Sequence, residues 1–291
     1  MTKIKHLFTS LIQSIISYAD TGKWRLKDAF NLALEGQAKS QTFRSIWRDA
    51  YGDEYPEEAD PNSFVTMTSL RCIAKYLSIG QGQTFVDLGC GRGGPGLWVA
   101  RETGANLAGI DISDVAVEHA TQRIADFGLN ERAQFRVGNF CATGLPEASY
   151  DGAMSVDSLI SVRDKTAAVR EVARILRPGA RFVFTTWEAD RLMTPLIVKD
   201  HRPFLGDAGF EVEVYDEMQG WEQGQRAAYE GVLATKDALI EEMGKAAAKQ
   251  LIKEAQRMLP RLGQVRRILV VARKRLSSAS NGWSGLNTRW A

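Results

Sequence analysis

The 291-residue chain predicts an α/β fold, an open and mostly parallel sheet with helices on both faces. Three observations carry that expectation. A short apolar strand pattern at 84–88 runs straight into a glycine-rich turn. From there to residue 186, strand and helix patterns alternate at lengths that suit parallel βαβ units with right-handed crossovers. Two late strand patterns then flank a long helical stretch.

The elements follow in order. Ile4, Leu7, Phe8, Leu11, Ile12, Ile15 and Ile16 recur at helical spacing near Lys3 and Lys5, an amphipathic helix. It is expected to pack on the body, on a second copy in a homodimer, or peripherally on a membrane. Helices and an acidic connection at 53–61 complete an N-terminal extension over 1–63. A helix at 64–78 places Leu70, Ile73, Ala74 and Leu77 on one face. Strands are expected at 84–88, 106–112, 133–138, 150–156 and 180–186, with helices near 95–103, 114–127 and 164–176. Ser113 suits a helix N-cap and Gly128 a C-terminal stop. Arg177-Pro-Gly179 is expected to end the preceding helix and turn into the fifth strand. A short helix near 199–208 leads to 210–218, which alternates as an edge strand does. Residues 221–259 read as helix and 265–272 as a last strand. The helical insertion, about 221–260, is too long for a plain loop and is read as a cap. The core domain thus spans 64–275, and 276–291 reads as a flexible tail.

Composition narrows the class. Apolar residues make up 44% and charged ones 25%, ordinary for a globular protein. A net charge of +2 predicts no strong polyanion field, which argues against nucleic acid as partner. Cys72, Cys90 and Cys141 lack the spacing of a metal site and fit reduced thiols in a cytoplasmic protein. No apolar run reaches the roughly 20 residues of a membrane span.

The turn after the first strand carries the chemistry. Glycines let backbone pass close to a ligand, and the following helix start aims unpaired N–H groups at it. Gly91-x-Gly93-x-x-Gly96 matches a dinucleotide fingerprint, and Asp111 ends the next strand where an acid can hold ribose hydroxyls. Asp87 discriminates. A carboxylate ending the first strand would repel a pyrophosphate but suits a cationic ligand such as a sulfonium with an ammonium-bearing tail.

These residues resemble class I S-adenosylmethionine (SAM)-dependent methyltransferases, in particular the small-molecule branch of the ubiquinone and menaquinone biosynthesis type. The similarity covers about 65–190. It rests on Val-Asp-Leu-Gly-Cys-Gly-Arg-Gly, Gly-Ile-Asp-Ile-Ser, Gly-Asn-Phe after strand three, Tyr-Asp-Gly-Ala-Met-Ser-Val-Asp-Ser at strand four and Leu-Arg-Pro-Gly before strand five. The resemblance implies a Rossmann-like seven-stranded sheet with an antiparallel last strand, an N-terminal helical lid and SAM as cofactor. It implies that Gly89, Gly91 and Gly93 line the methionine moiety and that Asp87 positions the turn or meets the ammonium group through water. Asp111 would accept from the ribose hydroxyls, Ile112 would pack on the adenine, and Asn139 and Phe140 would meet its edge. Asp157 and Ser158 would sit beside the sulfonium and open the substrate pocket. Plainer roles stay open: Asp87, Asp111 and Asp157 as caps, Asn139 as a turn residue.

Methyl transfer from a sulfonium is an in-line displacement with a neutral leaving group, so a base is needed only where the acceptor must lose a proton. His201, Asp157 and Tyr51 are the candidate catalytic residues, His201 competing with a solvated surface role. Tyr55 shares the N-terminal candidacy. Trp187, Trp221 and Tyr229 are expected to stack on a flat or isoprenoid substrate or to pack as core. The expected function is methylation of a small, partly apolar metabolite at oxygen, nitrogen or carbon. The alternatives are a SAM-binding partner or cyclase without methylation, and a nicotinamide-dependent oxidoreductase.

Overall fold

Seven strands form one sheet in a computed structural model that describes residues 26–61, 63–190 and 196–276. The expectations for the N-terminal amphipathic helix and for the tail from Ser277 lie outside the described residues. The strands are β1 (Thr84–Leu88), β2 (Asn106–Asp111), β3 (Ala133–Val137), β4 (Tyr150–Val156), β5 (Leu176–Glu188), β6 (Phe210–Glu217) and β7 (Arg266–Lys274). Their spatial order is β3-β2-β1-β4-β5-β7-β6. β1 to β5 pair in parallel, and β7 runs antiparallel to both β5 and β6. β6 lies at an edge, as its alternation predicts. The architecture is the Rossmann-like, mostly parallel one.

The central strands read as nearly continuous apolar runs because both of their faces are covered. One face packs under α6 (Lys165–Ile175) and α7 (Arg202–Asp207), with Val86, Ala153, Val169, Phe182 and Leu205 in the core. The other packs under α3 (Met67–Leu77) and α4 (Gly94–Thr103), with Leu70, Ile73, Phe85, Leu97 and Val183. α3 starts at Met67, because Thr66 is its N-cap and accepts from the Ser69 N–H. α5 (Asp114–Gln122) is capped by Ser113, which accepts from the Ala116 N–H at 2.9 Å. A separate 3₁₀ turn at Ala125–Phe127 takes the end of the predicted helix and closes on Gly128 at φ 66°.

Two further boundaries differ from expectation. β5 begins at Leu176, pairing with Tyr150, with a register irregularity before Gly152. Arg177-Pro-Gly179 is therefore inside the strand, where an irregular stretch tolerates a proline without a ladder donor. The helical stretch after β6 breaks into α8 (Trp221–Ala234), α9 (Lys236–Met243) and α10 (Lys245–Met258), with Gly244 between the last two.

These three helices and the N-terminal pair α1 (Leu26–Lys39) and α2 (Gln41–Tyr51) build one layer with its own aromatic and aliphatic core. Glu242 of α9 accepts from Ser40 Oγ at 2.6 Å, the Thr42 N–H at 2.9 Å and Thr42 Oγ1 at 2.7 Å, so α2 is anchored to the insertion. Glycines on α8 let α2 approach closely. A Cβ at Gly224 would lie 2.4 Å from the Tyr51 ring, and one at Gly231 would lie 2.8 Å from Ile46. The layer covers the end of the sheet at which β4 and β5 finish.

Candidate active site

The strand order reverses between β1 and β4, and ligands in open α/β sheets bind outside the carboxyl ends of the strands at such a point. A cavity of about 620 Å³ lies there. Asp87, Gly89, Gly91, Asp111, Ile112, Asn139, Phe140, Asp157 and Ser158 line it. The two strand ends are tied together by Ser158, whose hydroxyl donates to the carbonyls of Leu88 at 3.0 Å and Gly89 at 3.2 Å. Phe30 and Leu34 of α1 close part of the rim. Asn31 holds α1 there by accepting from Ser113 Oγ at 2.6 Å and donating to Asp114 at 2.8 Å.

Two carboxyl groups define the electrostatics. Asp87 is 1% exposed, and its Oδ1 has no hydrogen-bond partner. Burial, with the nearby Asp111 adding, pushes its pKa up to about 8. Asp111 accepts from the Gly91 N–H and the Ser113 N–H, each at 2.9 Å, so it both shapes the turn and keeps lone pairs for a ligand. Burial still raises its pKa against those bonds. Arg92 also lines the cavity but is paired with Asp60 at 3.1 Å. Two adjacent acids, one with an orphaned oxygen, favour a cation-bearing ligand over a diphosphate. The backbone fits closely: a Cβ at Gly96 would fall 2.6 Å from Asp87 Oδ2. Gly96→Ala is therefore expected to weaken cofactor binding about tenfold or more by displacing that carboxyl, as read by calorimetry.

Several site residues sit differently from expectation. Gly93 does not line the cavity; it caps α4 at φ 78° and faces Phe135 and Ala120. The Asn139 oxygen accepts from the Cys141 N–H at 2.8 Å, so the amide shapes its own turn. Asp157 lines the cavity with φ 54°, a strained conformation for a non-glycine residue. Its carboxylate is already occupied. Thr185 Oγ1 donates at 2.7 Å, Arg267 at 2.8 and 3.0 Å, and the Phe64 N–H at 3.2 Å. A carboxylate so engaged is a structural anchor at the cavity wall, with its oxygens already bonded.

His201 is corrected as well. It is neither a surface group nor a cavity residue, being 1% exposed with Nδ1 2.9 Å from the fully buried Glu188. Glu188 also accepts from Tyr215 and, at 3.1 Å, from Arg266. The buried carboxylate draws the ring inward despite charged sequence neighbours. Tyr51 lies under α8 outside the cavity, and burial raises its pKa. Tyr55 donates to Asp60 at 3.0 Å. Trp187, Trp221 and Tyr229 are core residues of the helical layer. Sequence reasoning missed Arg267. Its signal was phase: on β7 it shares a side with Leu269 and Val271, which point into the core.

Residues 86–184 match the Methyltransferase domain family. The chain is 32% identical over 154 residues to methyltransferase GfsG of Streptomyces halstedii, covering 53% of each. It is 31% identical over 115 residues to the sterol 24-C-methyltransferase of Pneumocystis carinii, covering 40% of this chain and 30% of that protein. It thus spans about half the length of the first relative, and less of the second. The fold is similar to that of the [4+2]-cyclase SpnF, with a TM-score of 0.68 and 20% identity over 93% of this chain and 98% of the other. The narrower ubiquinone and menaquinone likeness gains no support from these relatives. A switch-point cavity walled by acids lies on a sheet with this strand order, and residues 86–184, which include the parallel strands β2, β3 and β4, carry the match to the Methyltransferase domain family.

Proposed function

We propose that the protein transfers a methyl group from SAM to a small, partly apolar metabolite. The observation that carries this reading is the buried Asp87 carboxyl, with one oxygen unpartnered in a cavity it shares with Asp111. In this reading Asp87 meets the cationic methionine end, directly or through water. Asp111 accepts from the ribose hydroxyls. Ile112 and Phe140 pack on the adenine, and Gly89 and Gly91 let the backbone approach. When bound, SAM supplies an electrophilic methyl group on a sulfonium whose thioether leaves without acid assistance.

The chain's own contribution is alignment and exclusion of water, alignment being worth up to about 7–11 kcal/mol in favourable cases. Ser158 holds the ends of β1 and β4 in register beside the reacting centre. Asp157 holds Phe64 and Arg267 against the end of β5, which fixes the wall between the cavity and the helical layer. That layer serves as lid and cap over the acceptor. The likeness to a sterol 24-C-methyltransferase supports an apolar, isoprenoid type of acceptor.

Calorimetry tests the cofactor half. Asp111→Ala is expected to weaken SAM by about 1–3 kcal/mol, roughly 5- to 150-fold. Tight uptake of a nicotinamide dinucleotide with none of SAM overturns the reading. A second reading, a cyclase that binds SAM without methylation, is favoured by the fold likeness to SpnF over 93% of the chain. Methyl-labelled SAM with fractionated metabolites separates the two, since only a methyltransferase labels a product.

A further inference from the structure

Arg92 brings a buried guanidinium to the cofactor cavity. It follows the glycine turn, lines the cavity and is only 7% exposed. Its Nη2 donates to Asp60 twice, to the main-chain carbonyl at 2.9 Å and to the carboxylate at 3.1 Å. Its Nε has no partner. A second guanidinium stands behind it. Arg123 donates to the carbonyl of Arg92 at 3.1 Å and to those of Glu58 and Ala59 at 2.8 and 2.9 Å. Burial and the nearby Arg92 both lower the Arg123 pKa, the second as one cation does to another. Among the described residues, Asp60 is the only carboxylate within ion-pair distance of either, and it pairs with Arg92. Two cations thus face one anion at this edge of the cavity.

The start of α4 adds to the same sign. No side chain caps it, and Gly94 and Pro95 of its first turn line the cavity. Unbonded N–H groups and the positive end of the helix dipole favour an anion there. The chain from Tyr55 to Pro61 is held down on this edge. A Cβ at Gly94 would lie 1.7 Å from the Ala59 carbonyl, and Asp60 and Pro61 line the cavity. Asp87 precedes the glycine turn and Arg92 follows it, so one turn offers an acid and a cation to the same space. An α-amino acid carries the complementary pair on a single carbon. A phosphate would suit the cation but would set more negative charge against Asp87 and Asp111. One carboxylate matches the single positive charge that Asp60 leaves over.

We infer that Arg92, together with the N-terminus of α4, holds the carboxylate of an amino-acid ligand whose ammonium group meets Asp87, so that the site selects a zwitterion over a plain cation. The inference rests on the proposed function for the identity of that ligand as SAM. Arg92 is a specificity-determining residue, and through Asp60 it ties the chain at 55–61 to the ligand.

Calorimetry on the full chain compares S-adenosylhomocysteine with its decarboxylated analogue, which keeps the amino group, the thioether and the nucleoside. The parent is expected to bind S-adenosylhomocysteine about tenfold or more tighter, as a charge-assisted bond between guanidinium and carboxylate provides. Arg92→Gln is expected to erase most of that preference by weakening S-adenosylhomocysteine while the affinity for the analogue stays as it was. Arg92→Lys, which keeps the charge but not the fork of donors, is expected to restore part of it. Should Arg92→Gln fail to fold because Asp60 is stranded, the same comparison is made with Asp60→Asn added. Equal affinity of the parent for the two ligands, an equal loss of both in Arg92→Gln, or a preference that Arg92→Gln leaves intact overturns the inference while the proposed function stands. Uptake of neither ligand by the parent overturns the proposed function and the inference with it.

Discussion

Arg267→Met is expected to destabilise the protein by about 3–5 kcal/mol, read as a lowered midpoint in chemical denaturation. The side chain is 1% exposed and its partner Asp157 lies in a wall that is also nearly dry. Removing the cation leaves a carboxylate that is only 6% exposed without its counter-charge, which costs more than the pair contributes. The damage spreads locally. Asp157 sits at φ 54°, and the bonds from Thr185, Arg267 and Phe64 are what hold it there. Adding Asp157→Asn to Arg267→Met removes the stranded charge and is expected to recover most of the loss, a coupling that a double-mutant cycle measures. A loss below about 1 kcal/mol in the single variant would mean the pair is solvated and interchangeable with surface ion pairs.

Asp87→Asn is expected to act in opposite directions on the empty and the loaded protein. A buried carboxyl with an unpartnered oxygen is a liability until a cation arrives, so the isosteric amide raises the melting temperature of the empty protein. SAM affinity falls about tenfold or more, or about 1.4 kcal/mol, because the charge that meets the ligand is gone. The pH dependence has a definite sign. Burial lifts the Asp87 pKa from an ordinary 3.8 to about 8, so the folded state binds the extra proton. The stability this group contributes is full below pH 4 and is lost as pH rises towards 8. The melting-temperature gap between Asp87→Asn and the parent should therefore widen across that window and level off above it. A gap independent of pH would show that Asp87 ionises like an exposed acid.

The Asp87 and Arg267 predictions draw on different kinds of information. The strand–turn–helix from Thr84 to Thr103 was legible because everything that makes it is local. An apolar run, glycines at the turn and an acid at the strand end lie within a few residues of one another. Ser113 was legible for the same reason: the strand end and the next cap are adjacent, and Ser113 caps the helix as read, while Asp111 beside it lines the cavity and accepts from the Gly91 N–H. The closing β6 and β7 strands and the long helical insertion between them also followed from periodicity alone.

Other residues had their roles settled by partners far away in the chain. Asp157 reads as an open acid at a strand end until Arg267, 110 residues later, takes both of its oxygens. His201 reads as solvated among charges until Glu188, itself fully buried, draws the ring inward. Asn139 turned its amide to its own backbone, a competition between a short local bond and a ligand that composition cannot rank. Local rules thus specify the cofactor end of this protein, since its turn, acids and caps are set by neighbours in sequence. The side of the sheet end under the helical layer is assembled by folding, because burial and long-range pairing decide which charges are spent.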